Sequence, residues 1–217
     1  MKAYKCLFVD WHLTLSNSVF WEHLSNPTYP HYPIFDYMQA ALFQSSAPGR
    51  WLLPWLRGAL TSEEVIANVC QGTAFDQALV LAELIVSCQQ MRLASEAIPA
   101  LLSRLRAKGL KVVIATDNMD TFQRWTVPSL RLYELVDDIL SSFELQALKM
   151  DTDEHGQSRF FADYLHSHAV GWGESLLLDD GGDEYGNVIR QFGIDYQHIE
   201  PGRGLVPALE LMLDALE

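Results

Sequence analysis

Basic residues are scarce. Fifteen Lys and Arg stand against 28 Asp and Glu in 217 residues, a formal net charge of −13. Nucleic-acid phosphates and anionic lipid surfaces both recruit Lys and Arg, so neither nucleic acid nor membrane is an expected partner. Cysteine is also sparse. Cys6, Cys70 and Cys88 are too few for a disulfide framework and match no Cys-x-x-Cys spacing. Reduced thiols in a cytoplasmic protein are the plain reading. No run approaches the roughly 18 apolar residues that a membrane-spanning helix needs. Met1-Lys2-Ala3-Tyr4-Lys5 begins no signal-peptide apolar region, because Asp10 and His12 interrupt the first apolar run. A phosphate-cradling loop is missing as well: no Gly-x-Gly-x-x-Gly occurs, and Gly181-Gly182 is not followed by Lys-Ser/Thr. What is present is a globular composition, 49% hydrophobic and 20% charged. The length suits one large domain, or one domain carrying an insertion, with a core that needs no staples.

Cys6–Val9 is a short apolar run ending at Asp10, and it reads as a buried strand. Three prolines between Asn26 and Pro33 argue against any regular element there. From Pro33 to about Gln90 the signals are helical. Ile34, Tyr37, Met38, Ala41 and Leu42 recur at helical spacing, Thr61 and Glu64 form a capping box, and Ala74–Gln90 is a second periodic run. Ala97–Lys108 is amphipathic, stops at Gly109 and leads into the β-branched run Leu110–Ala115. Ser175–Leu178 and, more weakly, Ile194–Ile199 read as further strands, with helical patterns at Phe160–His168, Tyr185–Phe192 and Leu205–Leu216. Strands alternating with helices predict an α/β fold, a doubly wound parallel-sheet core. The expected organisation is a core made of residues 1–15 and 93–217, with an inserted all-helical cap over residues 16–92.

Open parallel sheets bind ligands beyond the carboxyl ends of their strands. The first strand ends in Asp10, with His12 and Thr14 following. The second ends in Thr116-Asp117-Asn118, and another in Asp179-Asp180. Lys149 lies in the connection between the last two. Several carboxylates at one edge repel one another. A divalent cation such as Mg²⁺ relieves that repulsion and takes a phosphate oxygen readily. Asp10 would then stay ionised and could attack phosphorus. Thr116 and Lys149 could steady the phosphoryl oxygens. Singly, each residue is ordinary: an Asp after a strand usually caps a turn. Order and context give the set its weight.

Four segments carry a resemblance. They are Phe8-Val9-Asp10-Trp11-His12-Leu13-Thr14, Val112-Val113-Ile114-Ala115-Thr116, Lys149, and Leu176-Leu177-Leu178-Asp179-Asp180. In that order they resemble the motifs of the haloacid dehalogenase-like hydrolase superfamily, in the branch with a helical cap after the first strand. Ile98–Lys108 is similar to the helix before the second motif. The resemblance implies a Mg²⁺-dependent phosphatase acting on a small phosphorylated metabolite through an aspartyl-phosphate. It makes Asp10 the nucleophile and a metal ligand. The His12 backbone carbonyl and Asp180 are further ligands, and Asp179 acts through water. Thr116, with Asp117 and Asn118 beside it, and Lys149 hold the phosphoryl group.

Three departures stand out. Position 12, ordinarily the Asp that protonates the leaving group, is His12. Met150 replaces a Pro that often follows the lysine. The segment Gly181–Asn187 is longer than usual. If the strand runs on past Asp10, positions 10 and 12 share a side, and His12 can serve as acid and base. The alternatives are a catalytically lapsed binding scaffold, or a phosphotransferase or mutase. Trp21, Trp51 and Trp55 are expected to be packing residues. His166 and His168, two apart on a helix, diverge. Asp151, Asp153 and Glu154 read as a solvated acidic turn.

Overall fold

The computed structural model describes residues 4–43 and 50–216. Met1–Ala3, the start of the segment read above as no signal peptide, lie outside them. Five parallel strands form one sheet: β1 (Cys6–Val9), β2 (Lys111–Thr116), β3 (Asp138–Ser141), β4 (Ser175–Asp179) and β5 (Asp195–His198), in the order β3-β2-β1-β4-β5. The first strand therefore sits in the middle. Its neighbours are the two strands whose ends carry Thr116 and the acidic pair.

Alternation along the strands sends successive side chains to opposite faces. Leu7, Val9, Val112, Ile114, Leu176 and Leu178 pack against α5 (Ile98–Ala107) and α11 (Leu205–Asp214). Phe8, Val113, Ala115 and Leu177 pack against α9 (Ala162–Ser167) and α10 (Asp183–Gln191). Both faces are covered, which is why these strands are apolar throughout rather than alternating.

Between β1 and β2, every helix or strand among the described residues is helical. α1 (Tyr32–Met38), α2 (Leu52–Leu56), α3 (Ser62–Val69) and α4 (Gln77–Gln89) gather around Trp21, Met38, Trp55, Ile66 and Leu84, a cluster separate from the sheet cores. The capping box opens α3: the Thr61 hydroxyl accepts the Glu64 N–H, and the Glu64 carboxylate accepts the Thr61 N–H at 2.8 Å. Trp21 and Trp55 are fully buried, as packing residues should be.

Buried bonds tie this helical layer to the sheet. The Asp120 carboxylate, just past β2, accepts the Trp55 Nε1–H at 2.8 Å, the Ser62 N–H at 3.2 Å and the Ser62 hydroxyl. It also pairs with Arg124 at 2.7 Å. The Ser142 hydroxyl, in α8 (Ser142–Leu145), donates to the Leu56 carbonyl at 2.7 Å.

Three features differ from the sequence reading. β3 is an additional strand, with a polar first residue and only four residues in all. The proline-rich stretch is not wholly irregular, since α1 starts at Tyr32 with Pro33 in its first turn, where a missing N–H costs nothing. Asp151 is not simply a solvated acid but is half-buried and paired: its carboxylate takes a two-point bond from Arg57, at 2.7 and 3.0 Å. Asp153 does form the expected turn, accepting the His155 and Gln157 N–H groups. The cysteines are free and buried, and burial pushes the Cys6 and Cys88 thiols up to about 12.

Phe8 is fully buried, with its ring 5.0 Å from Phe161 and 5.8 Å from Tyr164. Phe8→Ala is expected to cost about 3–5 kcal/mol, read from urea unfolding. A loss below about 1 kcal/mol would contradict this packing.

Candidate active site

The register sets the site. Val9 pairs with Leu178 on one side and Ile114 on the other. Asp10 thus stands level with Asp179 and one step from Thr116. The strand hydrogen-bonding continues one residue further, from the Asp10 N–H to the Leu178 carbonyl at 2.9 Å. Then the chain turns. Ser16 N–H reaches the Trp11 carbonyl at 2.8 Å, Leu13 N–H reaches the Ser16 carbonyl at 2.7 Å, and Leu13 takes a left-handed φ of 58°. The expected extension of β1 through position 12 is therefore wrong. His12 lies on a tight loop at the rim of a cleft, and strand alternation does not fix its direction. Thr14 is buried and lines a separate cavity with Ser95 and Gly202.

Lys149 is buried. Its ammonium donates to Asp10 Oδ1 at 2.7 Å and to Asp179 Oδ2 at 2.6 Å. Its own N–H is held by Asp117 Oδ1 at 2.9 Å, and the Leu148 N–H by Asp151 Oδ2 at 3.0 Å. Oxygens of Asp10, Asp179 and Asp180 all lie within 4.8 Å of one another. Three carboxylates against one ammonium leave an excess of negative charge, a donor set suited to a hard divalent cation. The Thr116 hydroxyl, buried at the end of β2, has no hydrogen-bond partner within the protein. Asn118 is committed to its own loop: its N–H donates to the Ser142 hydroxyl, and its side-chain oxygen accepts the Met119 N–H.

Tyr185 completes the site, and no local signal in the sequence marks it. Its hydroxyl donates to Asp179 Oδ2 at 3.1 Å, and its ring lies 5.6 Å from the Lys149 ammonium. The long segment after the acidic pair has its explanation here. Gly181 and Gly182 turn the chain into α10, which brings Tyr185 back over Asp179. A Cβ at Gly181 would come within 2.5 Å of the Tyr185 ring. The Gly181 N–H also donates to Asp179 Oδ1 at 2.8 Å. Tyr196 braces the same turn, its hydroxyl donating to the carbonyls of Asp179 and Gly181.

The electrostatics follow from burial. Loss of solvent, with Asp179 and Asp180 close by, pushes the Asp10 carboxyl up to about 7, against the pull of Lys149. Burial also raises Asp117 and Asp180. The Lys149 ammonium is disfavoured by burial, yet Asp10, Tyr185 and Asp179 hold it well above its ordinary value. Burial lowers His12, while the charge of Asp180 works the other way.

No family model matches the sequence, and no curated protein matches it. Solved structures do match. A HAD family enzyme of Bacteroides thetaiotaomicron is 14% identical, with a TM-score of 0.71 over 95% of this chain and 98% of that one. A predicted HAD-like family hydrolase of Porphyromonas gingivalis is 15% identical, with a TM-score of 0.70 over 98% of each chain. The L-2-haloacid dehalogenase of Xanthobacter autotrophicus is 16% identical, with a TM-score of 0.62 over 90% of this chain and 77% of that one. One structure of the Bacteroides enzyme is a complex with magnesium and inorganic phosphate. The chain therefore has the haloacid dehalogenase-like fold.

The raised Asp10 has a consequence for stability. The folded protein keeps that proton to a higher pH than the unfolded chain does. The contribution favours the fold at low pH and fades as pH rises from 3.8 to about 7. Asp10→Asn removes both the titration and one negative charge. It is expected to flatten this part of the pH dependence. Urea midpoints at pH 5 and pH 8 test this, and a mutant whose midpoint changes between the two as much as that of wild type would contradict it.

Proposed function

We propose that the protein is a Mg²⁺-dependent phosphohydrolase acting on a small phosphorylated metabolite through an aspartyl-phosphate. The observation that carries this reading is the Asp10, Asp179 and Asp180 cluster with the Lys149 ammonium between two of its members. A dehalogenase mechanism gives no role to so large an excess of carboxylate. In this reading, Asp10, Asp180 and the His12 carbonyl hold the metal, with Asp179 behind water. Bound magnesium would neutralise the carboxylates and draw charge from the phosphoryl oxygens.

The chain's own groups then divide the work. The Asp10 carboxylate attacks phosphorus, giving the phosphorylated aspartate and releasing the alcohol. Lys149 keeps Asp10 in place and meets the negative charge that spreads over the phosphoryl oxygens. The unpartnered Thr116 hydroxyl donates to one of those oxygens. Asp117 holds the Lys149 backbone, and Asn118 shapes the loop beside it. His12 gives a proton to the leaving oxygen and later takes one from the water that hydrolyses the intermediate. The helical segment of residues 16–92 acts as a cap over the core of 1–15 and 93–217, and its separate hydrophobic cluster supports that division. Three buried, unpaired thiols support a cytoplasmic setting. His12 in place of a carboxylate favours one second reading, a scaffold that binds phosphate and has lost turnover. A phosphotransferase would use the same groups with an acceptor other than water.

Beryllium fluoride with Mg²⁺ mimics the phosphoryl group on Asp10 and tests the site without a substrate. At about 100 times its dissociation constant it should stabilise the protein by about 2.7 kcal/mol, a rise in Tm of roughly 5–11 °C. The rise should require both ligands and vanish in Asp10→Asn. No rise in wild type would defeat the proposal. His12→Ala should lose more rate on alkyl phosphates than on activated aryl phosphates, and equal losses would remove His12 from the proton-transfer role.

A further inference from the structure

A cleft of about 350 Å³ opens between the sheet edge and the helical layer. Its floor is formed by the loops after β1 and β2, including His12, Asp117 and Asn118. His12, two residues past Asp10, and Asp117, which holds the Lys149 N–H, place one end of the cleft next to the carboxylate cluster. We propose that this cleft seats an uncharged, largely apolar leaving group, so that the substrate is the phosphate monoester of a compact apolar alcohol. The inference rests on the phosphohydrolase reading and adds the class of substrate to it.

Three observations carry it. First, the walls are apolar: Val19, Phe20, Phe43, Leu52, Leu56 and Met119 line them, with the Phe20 and Phe43 rings nearly parallel at 15°. Second, three of the polar side chains on the lining already hold a partner within the protein. The Gln39 amide donates to the Phe20 carbonyl at 2.9 Å, the Ser18 hydroxyl accepts the Arg92 N–H at 3.1 Å, and the Asn118 side-chain oxygen accepts the Met119 N–H at 2.9 Å. A sugar or other polyol would lose water there and find few partners in exchange. Third, no Lys or Arg lines the cleft among the described residues, whereas Asp117 does. The nearby Arg57 is held by Asp151. A carboxylate or second phosphate on the leaving group would therefore enter without a counter-charge.

Phosphonates test this without requiring turnover. Titration calorimetry with Mg²⁺ would compare hexylphosphonate with 2-carboxyethylphosphonate, in wild type and in Val19→Arg. Val19 is exposed on the cleft wall, so an arginine there adds a cation without opening a core. Wild type should bind the hexyl compound roughly tenfold or more tightly than the carboxyethyl one. Val19→Arg should reverse that preference while keeping the wild-type beryllium fluoride shift. Equal or tighter binding of the carboxyethyl compound by wild type would overturn the inference. So would failure of both phosphonates to bind while the beryllium fluoride shift persists. Loss of the wild-type shift as well would instead bring down the phosphohydrolase reading beneath it.

Discussion

One buried ammonium organises the carboxylate-rich edge of the sheet. Burying a lysine costs several kcal/mol unless its charge is met, and Lys149 is met twice, by Asp10 and by Asp179. The two carboxylates end adjacent strands, while the lysine arrives from a loop 30 residues before Asp179. That loop needs support. Asp117 takes the Lys149 N–H, and Asp151 takes the Leu148 N–H while binding Arg57. The geometry around Asp10 is thus held by several groups at once.

The same anchors connect the helical layer to the chemistry. Arg57 follows α2, so its bond to Asp151 links that layer to the segment presenting Lys149. Asp120, four residues past Thr116, holds Trp55 and Ser62. A shift of α2 and α3 would therefore be felt both at the lysine loop and beyond β2. The apolar wall of the cleft belongs partly to this layer, through Leu52 and Leu56. The cleft wall and the position of Lys149 thus share one structural support.

Much of this was legible in the sequence because strong local signals coincide with it. β1, β2 and β4 are built on apolar runs, and the residue that follows each run, Asp10, Thr116 or Asp179, reaches the site. β3 was not legible. Asp138 and Ser141 leave only Ile139 and Leu140 as apolar signal, and an edge strand of four residues resembles a loop. Tyr185 was hidden for another reason. Its contact with Asp179 depends on a turn made possible by Gly181, and the sequence shows only an extra stretch of small and polar residues. Asp151 was misjudged because Arg57 lies 94 residues away. A lone acid among acids carries no mark of such a partner. His12 shows the limit of alternation arguments: the period of two holds only while the strand lasts, and β1 ends at Val9.

The histidine also bears on the charge balance of the site. Asp10, Asp179 and Asp180 with Lys149 carry a formal excess of two negative charges, the amount one divalent cation neutralises. A carboxylate at position 12 would add a third negative charge beside Asp180. A neutral imidazole adds none, and burial favours that neutral form. Position 12 is also where the carboxylate edge meets the apolar cleft. An ionised carboxylate there would need water to solvate it, and that water would occupy the space open to an apolar group. A neutral ring can border both regions without that water, and it must first take up a proton before it could give one to a leaving oxygen. The histidine at position 12 and the apolar lining are thus compatible parts of one electrostatic arrangement.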